Sequence, residues 1–155
     1  MRSKIELGKQ APDFSLAGTG GRWSLADAAG RNLVVYFYPR DNTPGCTQEG
    51  DGFTAHFAQF MEAQTLIVGI SGDSVASHEK FKAKMACPFE LLSDLDRTVC
   101  TRYDVIQEKS MYGRTYLGIE RSTFLVDATG VLRAEWRKVK VKGHAEAVLA
   151  AVTAL

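Results

Sequence analysis

The chain alternates short, unbroken apolar runs with longer stretches in which apolar residues recur every three or four positions. Leu33-Val34-Val35-Tyr36-Phe37 and Leu66-Ile67-Val68-Gly69-Ile70 are continuous runs, as expected of strands buried on both faces. Between them Phe53, Phe57, Phe60 and Met61 fall at helical spacing, which predicts an amphipathic helix beginning near Cys46. Val75, His78, Phe81 and Met85 mark one face of a helix over 74–86, and a shorter helix is expected over 96–103. Asp13-Phe14-Ser15-Leu16 and Arg22-Trp23-Ser24-Leu25, separated by Gly18, Gly20 and Gly21, predict a small hairpin. A second hairpin is expected where residues 121–126 and 131–136 flank Asp127-Ala128-Thr129-Gly130, a type I turn with Asp first and Gly last. Ala145, Val148, Leu149 and Val152 predict a closing helix after Gly143.

Strand–helix–strand, then a helix, a hairpin and a last helix is a thioredoxin-like α/β order. It predicts a central mixed β-sheet flanked by helices, with the early hairpin as an N-terminal extension. No linker, internal repeat or low-complexity tract interrupts the pattern, so residues 1–155 are expected to form one domain. A chain of 155 residues can bury most of the surface it exposes when unfolded.

Composition narrows the function mainly by exclusion. With 45% hydrophobic and 24% charged residues and a net charge of +1, nothing points to nucleic acid, a membrane surface or an acidic partner. The strongest basic cluster, Arg133, Arg137, Lys138, Lys140 and Lys142, is interrupted by Glu135 and fits a solvated strand running into a loop. No apolar run approaches the roughly 20 residues that span a bilayer. Met1-Arg2-Ser3-Lys4-Ile5-Glu6 leads into no apolar core of an export signal. Three cysteines cannot all pair within one chain, which suits a reducing compartment, so a cytoplasmic protein is expected.

The chemistry concentrates in Tyr38-Pro39-Arg40-Asp41-Asn42-Thr43-Pro44-Gly45-Cys46. Cys46 falls between a buried strand and a helix start, where unpaired N–H groups and the dipole favour thiolate over thiol. A dithiol oxidoreductase would carry Cys-x-x-Cys at this junction; here the first cysteine is Thr43, which supplies a hydroxyl instead. A thiolate beside a hydroxyl suits attack on an electrophile such as a peroxide oxygen. The plain alternative is a buried structural cysteine, for which a Pro-rich loop at a helix start is a poor place.

Pro39-x-x-x-Thr43-x-x-Cys46 resembles the active-site motif of the peroxiredoxins. The likeness extends to Gly8-x-x-Ala11-Pro12-Asp13-Phe14, Tyr36-Phe37-Tyr38-Pro39, Tyr112-Gly113-Arg114, residues 118–124 and residues 139–145. Within the family the pattern is similar to the peroxiredoxin Q, or bacterioferritin comigratory protein, subgroup. The resemblance implies a peroxidase that reduces hydrogen peroxide and organic hydroperoxides with thiol-derived electrons, in antioxidant defence and without a bound cofactor or metal. It implies that Cys46 is the peroxidatic nucleophile and becomes a sulfenic acid. Thr43 would hold peroxide and thiolate together, Pro39 would shield the sulfenic acid, and Arg121 would favour the thiolate and stabilise the leaving oxygen. Gly45 and Cys46 would offer backbone N–H donors to the substrate. Glu49, in the first helical turn, either orients Arg121 or complements the dipole. Thioredoxin, or glutathione and glutaredoxin, would be the reductant, and a monomer is implied. Two rivals remain: a thiol-disulfide reductase or transferase, which Thr43 argues against, and a non-catalytic thioredoxin-like binding or holdase domain, which predicts an unreactive Cys46.

The chain departs from the subgroup at the resolving cysteine. The resemblance implies a resolving cysteine either five residues after the first, where this chain has Asp51, or in the next helix, at the position matched by Lys82. Cys87, between a helix and the next strand, and Cys100, among apolar neighbours, are the remaining thiols. A single working cysteine resolved by an outside thiol is expected, with Cys87 as the alternative resolving residue and Cys100 as core. Gly50 and Gly52 would each weaken the helix after Cys46 by about 1 kcal/mol relative to Ala and ease its unwinding, unless they serve close packing. His56, expected on the apolar face of that helix, His78 and His144 form no metal template by spacing.

Overall fold

The computed structural model describes residues 5–155, and residues 1–4, part of the segment read for an export signal, lie outside the described residues. In chain order the first elements are β1 (Ser15–Gly18), β2 (Trp23–Ser24), β3 (Asn32–Phe37), α1 (Pro44–Ala55), α2 (Phe57–Glu62), β4 (Thr65–Ser71) and α3 (Val75–Met85). There follow β5 (Glu90–Ser93), α4 (Thr98–Arg102), β6 (Ile106–Met111), β7 (Arg114–Ile119), β8 (Ser122–Val126), β9 (Leu132–Trp136) and α5 (His144–Thr153). Among the described residues, β2-β1-β5-β4-β3-β8-β9 form one mixed sheet. Its centre is parallel, β3 pairing β4 from Asn32↔Thr65 to Phe37↔Ile70, while β8 adds antiparallel on the other side of β3. The expected fold, a central mixed sheet with flanking helices and an early hairpin (Leu16↔Trp23), is what forms.

The unbroken apolar run of β3 has a direct structural reason. Leu33, Val35 and Phe37 enter one buried cluster with Phe14, Val99, Cys100, Tyr103 and Phe124. Val34 and Tyr36, pointing the other way, enter a second with Cys46, Phe53, Phe60, Phe81, Met85 and Val148. Each fully buried side chain of this size contributes roughly 1.5–3 kcal/mol. A surface ion pair contributes about 0–1 kcal/mol, so burial on both faces of β3 outweighs any one of them.

Two differences from the sequence pattern bear on the site. The stripe Phe53, Phe57, Phe60, Met61 is two helices: α1 ends at Ala55, His56 breaks it, and Phe57 opens α2. Thr54 Oγ1 donates back to the Gly50 carbonyl at 2.8 Å, a bond that bends helices by drawing a carbonyl off axis. His56 therefore sits at the break, its Nε2 3.2 Å from exposed Glu146, and the expected apolar-face position is corrected. The β6–β7 hairpin was not expected as strands. It stands apart from the main sheet and turns at Tyr112 and Gly113, both with positive φ, leaving Met111, Tyr112 and Leu117 exposed.

Candidate active site

Two prolines and a threonine shape the approach to Cys46. Thr43 precedes Pro44, which excludes helical backbone at Thr43, and it adopts φ −89°, ψ 152° as the residue capping α1. Pro44 takes the first helical position, where a missing N–H costs nothing. The first helical bond runs from Thr47 N–H to the Thr43 carbonyl at 2.9 Å, so the N–H groups of Gly45 and Cys46 lie ahead of the ladder. Cys46 is the third residue of α1 and only 2% exposed. Thr43 Oγ1 donates to the Arg40 carbonyl at 3.0 Å, and Pro39 stands half-buried at the start of the loop.

Arg121, immediately before β8, reaches across to this helix start. Its Nη2 lies 3.4 Å from Cys46 Sγ, and its Nη1 donates to Glu49 Oε1 at 2.7 Å. Gly45 makes room for the guanidinium: a Cβ there would stand 3.1 Å from Nη2. Burial works against the charge of Arg121, but Glu49 and Cys46 outweigh it and hold the guanidinium protonated. Burial pushes the Glu49 carboxyl up to about 7, against the pull of Arg121. Glu49, read in the sequence as either orienting Arg121 or complementing the dipole and left outside the expected site, meets Arg121 in the structure. The signal was present in the sequence, since a residue three positions after Cys46 shares its helix face.

The loop leading to Cys46 is anchored by a buried network that sequence spacing concealed. Asp41 accepts from Tyr38 Oη at 2.6 Å, Ser77 Oγ at 2.8 Å and His78 Nδ1 at 2.8 Å. Its own N–H donates to Asp73 Oδ2 at 2.8 Å, and His78 Nε2 meets the Leu92 carbonyl at 2.9 Å. Both His78 nitrogens are thus engaged within the buried network. Burial would raise the Asp41 carboxyl, but the bonds from His78 and Tyr38 hold it below the usual range. Asp41, Asp73 and His78 bring their ligand atoms within 4.8 Å of one another, a cluster the histidine spacing did not suggest. Those atoms are committed to hydrogen bonds within the protein.

The sheet separates the other two cysteines. Cys87 belongs to the cluster of Cys46, whereas Cys100 belongs to the cluster on the opposite face. Cys87 follows Ala86, which is left-handed at φ 52°, and its Sγ lies 3.6 Å from the Phe89 carbonyl. Burial pushes the Cys87 thiol up, partly offset by Lys82. Lys82 itself is bound to the Phe89 carbonyl at 2.9 Å and to Glu90 at 2.8 Å. Gly50 and Gly52 lie at helix contacts: a Cβ on Gly50 would be 2.5 Å from Met85 Sδ, and one on Gly52 3.3 Å from Ala145 Cβ. Close packing thus accounts for both glycines directly.

A model of the AhpC/TSA family matches residues 7–135. Peroxiredoxin Bcp of Xanthomonas campestris is 51% identical over 151 residues, covering 97% of this chain and 94% of that protein. Peroxiredoxin Bcp of Bacillus subtilis is 48% identical over 141 residues, 90% of each. A solved structure of Xanthomonas campestris peroxiredoxin Q matches with a TM-score of 0.89 at 50% identity, covering 98% of this chain and 97% of that one. The chain belongs to the AhpC/TSA family, and the peroxiredoxin Q resemblance drawn from its motifs is borne out.

Proposed function

We propose that this protein is a thiol peroxidase whose Cys46 reduces hydrogen peroxide and organic hydroperoxides. The observation that carries the assignment is the Arg121 guanidinium 3.4 Å from the sulfur of a cysteine at the start of α1. A cation there favours the thiolate and stabilises charge on the oxygen that leaves. The thiolate attacks one peroxide oxygen, the O–O bond breaks, and Cys46 becomes a sulfenic acid. The N–H groups of Gly45 and Cys46, free of the helical ladder by position, and the Thr43 hydroxyl would hold the substrate in line. Pro39 would limit water at the sulfenic acid. A structure of the Xanthomonas campestris bacterioferritin comigratory protein concerns alkyl peroxide reduction, which supports organic hydroperoxides among the substrates.

Resolution by an outside thiol, from thioredoxin or a glutathione and glutaredoxin system, is the mechanism we favour, since Asp51 and Lys82 stand at the expected resolving positions. Cys87 is the second candidate because it shares the buried cluster of Cys46. Cys100, across the sheet, is core. One domain, a monomeric state and a cytoplasmic setting complete the proposal. Peroxide consumption with a thioredoxin or glutathione donor, run beside an insulin-reduction assay, tests it. Peroxide turnover without insulin reduction is expected, and the reverse result would identify a disulfide reductase.

A further inference from the structure

Glu49 is 2% exposed, yet only Oε1 is engaged, by Arg121 Nη1; Oε2 has no hydrogen-bond partner among the described residues. The residue lines a cavity of about 170 Å³ together with Gln48, Gly52, Lys142 and His144. Arg121 therefore stands between two acids, with Cys46 on one fork and Glu49 on the other. Two anions sharing one half-buried cation disfavour each other's ionisation. Other charged and titratable groups face the pair from neighbouring elements. Burial, with Glu49 next, keeps the Tyr36 phenol on β3 neutral, and burial with Arg121 drives His144 on α5 down to about 4. Lys142 and Glu146 line the cavity from exposed positions, and Lys109 on β6 couples to Arg121 and Cys46 from the hairpin.

We propose that Glu49 is a proton reservoir for the peroxidatic step, holding a proton while Cys46 is a thiolate and releasing it when Cys46 becomes a neutral sulfenic acid. The sulfur donates an electron pair to the peroxide and an S–O bond forms as the O–O bond breaks. Sulfur is thereby oxidised, and the peroxide is reduced by two electrons to a sulfenic hydroxyl and an alkoxide or hydroxide. That leaving oxygen needs one proton. With the thiolate gone, Arg121 passes its full charge to Glu49, whose carboxyl then ionises and gives up one. Thiolate, protonated Glu49 and hydroperoxide become sulfenic acid, ionised Glu49 and alcohol, with no proton drawn from the medium. Glu49 is a positioning and proton-holding residue here, since it reaches the sulfur only through Arg121. The inference rests on the peroxidase assignment of Cys46.

The test counts protons. A single turnover with one equivalent of hydrogen peroxide is run in weak buffer with a pH-indicator dye, and sulfenic acid is trapped with dimedone and quantified by mass. Glu49→Gln is expected to take up one proton for each Cys46 oxidised at every pH where the thiolate reacts. The unaltered protein is expected to take up well under one near pH 7, recovering towards one at more acid and more alkaline pH. If Glu49→Gln does not fold, the dip in the unaltered protein alone decides. Equal uptake in the two proteins, or a flat profile in the unaltered one, would overturn the proposal while leaving the peroxidase intact. Absence of the trapped sulfenic acid would overturn the peroxidase assignment itself, and this inference with it.

Discussion

Cys46 and Cys100 occupy the same place in their helices, the third residue of α1 and of α4, and both are buried. Helix position alone would favour a thiolate at each. Their partners differ in sign. Cys46 faces the Arg121 guanidinium, whereas Cys100 follows buried Asp94, whose carboxylate accepts from the N–H groups of Val99 at 3.3 Å and Cys100 at 2.7 Å. Asp94 consumes the helix-start donors that a substrate would otherwise use. Burial first, and then Asp94, drive the Cys100 thiol far up. The lesson is that a helix start is permissive, and the charge opposite it decides whether a cysteine reacts.

The largest expected effect separates the two directly. Cys46→Ser abolishes peroxide consumption, because a hydroxyl cannot supply the nucleophile, while Cys100→Ser consumes peroxide at the unaltered rate. Steady-state peroxide assays check both, and retained activity in Cys46→Ser would break the comparison. Next, Arg121→Met removes the guanidinium in contact with Cys46. Peroxide reduction is expected to fall by about 10²–10³-fold, the scale of losing one preorganised charge-stabilising donor. Stopped-flow measurement with a thiolate absorbance titration checks it; an unchanged rate would mean that Arg121 does not act on Cys46.

Asp41 serves the loop before α1 much as Asp94 serves the start of α4, by collecting donors into a buried carboxylate. Asp41→Ala leaves Tyr38 Oη, Ser77 Oγ and His78 Nδ1 without their shared buried acceptor and is expected to cost about 3–5 kcal/mol of stability, read by urea denaturation. A cost under about 1 kcal/mol would place that network among surface ion pairs. Thr43→Val removes a hydroxyl without altering charge, so peroxide reduction is expected to slow by roughly tenfold, the worth of one hydrogen bond. A loss as large as that of Arg121→Met would contradict the assigned division of roles.

How much of this was legible in the sequence follows from where each signal lies. The strands at 33–37 and 66–70 announce themselves because both of their faces are buried. Cys46, Thr43 and Pro39 fall within eight consecutive residues, and the sheet delivers Arg121 to them only through the β3–β8 pairing of Phe37 with Ser122. The β6–β7 hairpin was illegible because its strands bury almost nothing, so no period-two pattern of apolar residues marks them. The Asp41–His78 pair was hidden by 37 residues of separation, and nothing in either residue's neighbourhood names the other.

The smallest expected effect concerns Gly52. Gly52→Ala adds helix propensity of about 1 kcal/mol, partly offset by its 3.3 Å approach to Ala145 Cβ. It is a cleaner probe of helix unwinding than a change at Gly50, where Met85 would have to move. If α1 opens for resolution, Gly52→Ala slows reduction of the sulfenic acid by a thiol donor and leaves the first peroxide attack unchanged; equal rates in both steps would leave Gly52 as a packing residue alone.

The most direct test of the difference between the two helix starts is to locate the oxygen. The protein is treated with one equivalent of hydrogen peroxide in the presence of dimedone, digested, and its three cysteines are mapped by mass spectrometry. The adduct is expected on Cys46, with Cys87 and Cys100 recovered as thiols. An adduct on Cys100, or equal labelling of Cys46 and Cys100, would contradict the claim that Arg121 rather than helix position selects the reactive cysteine.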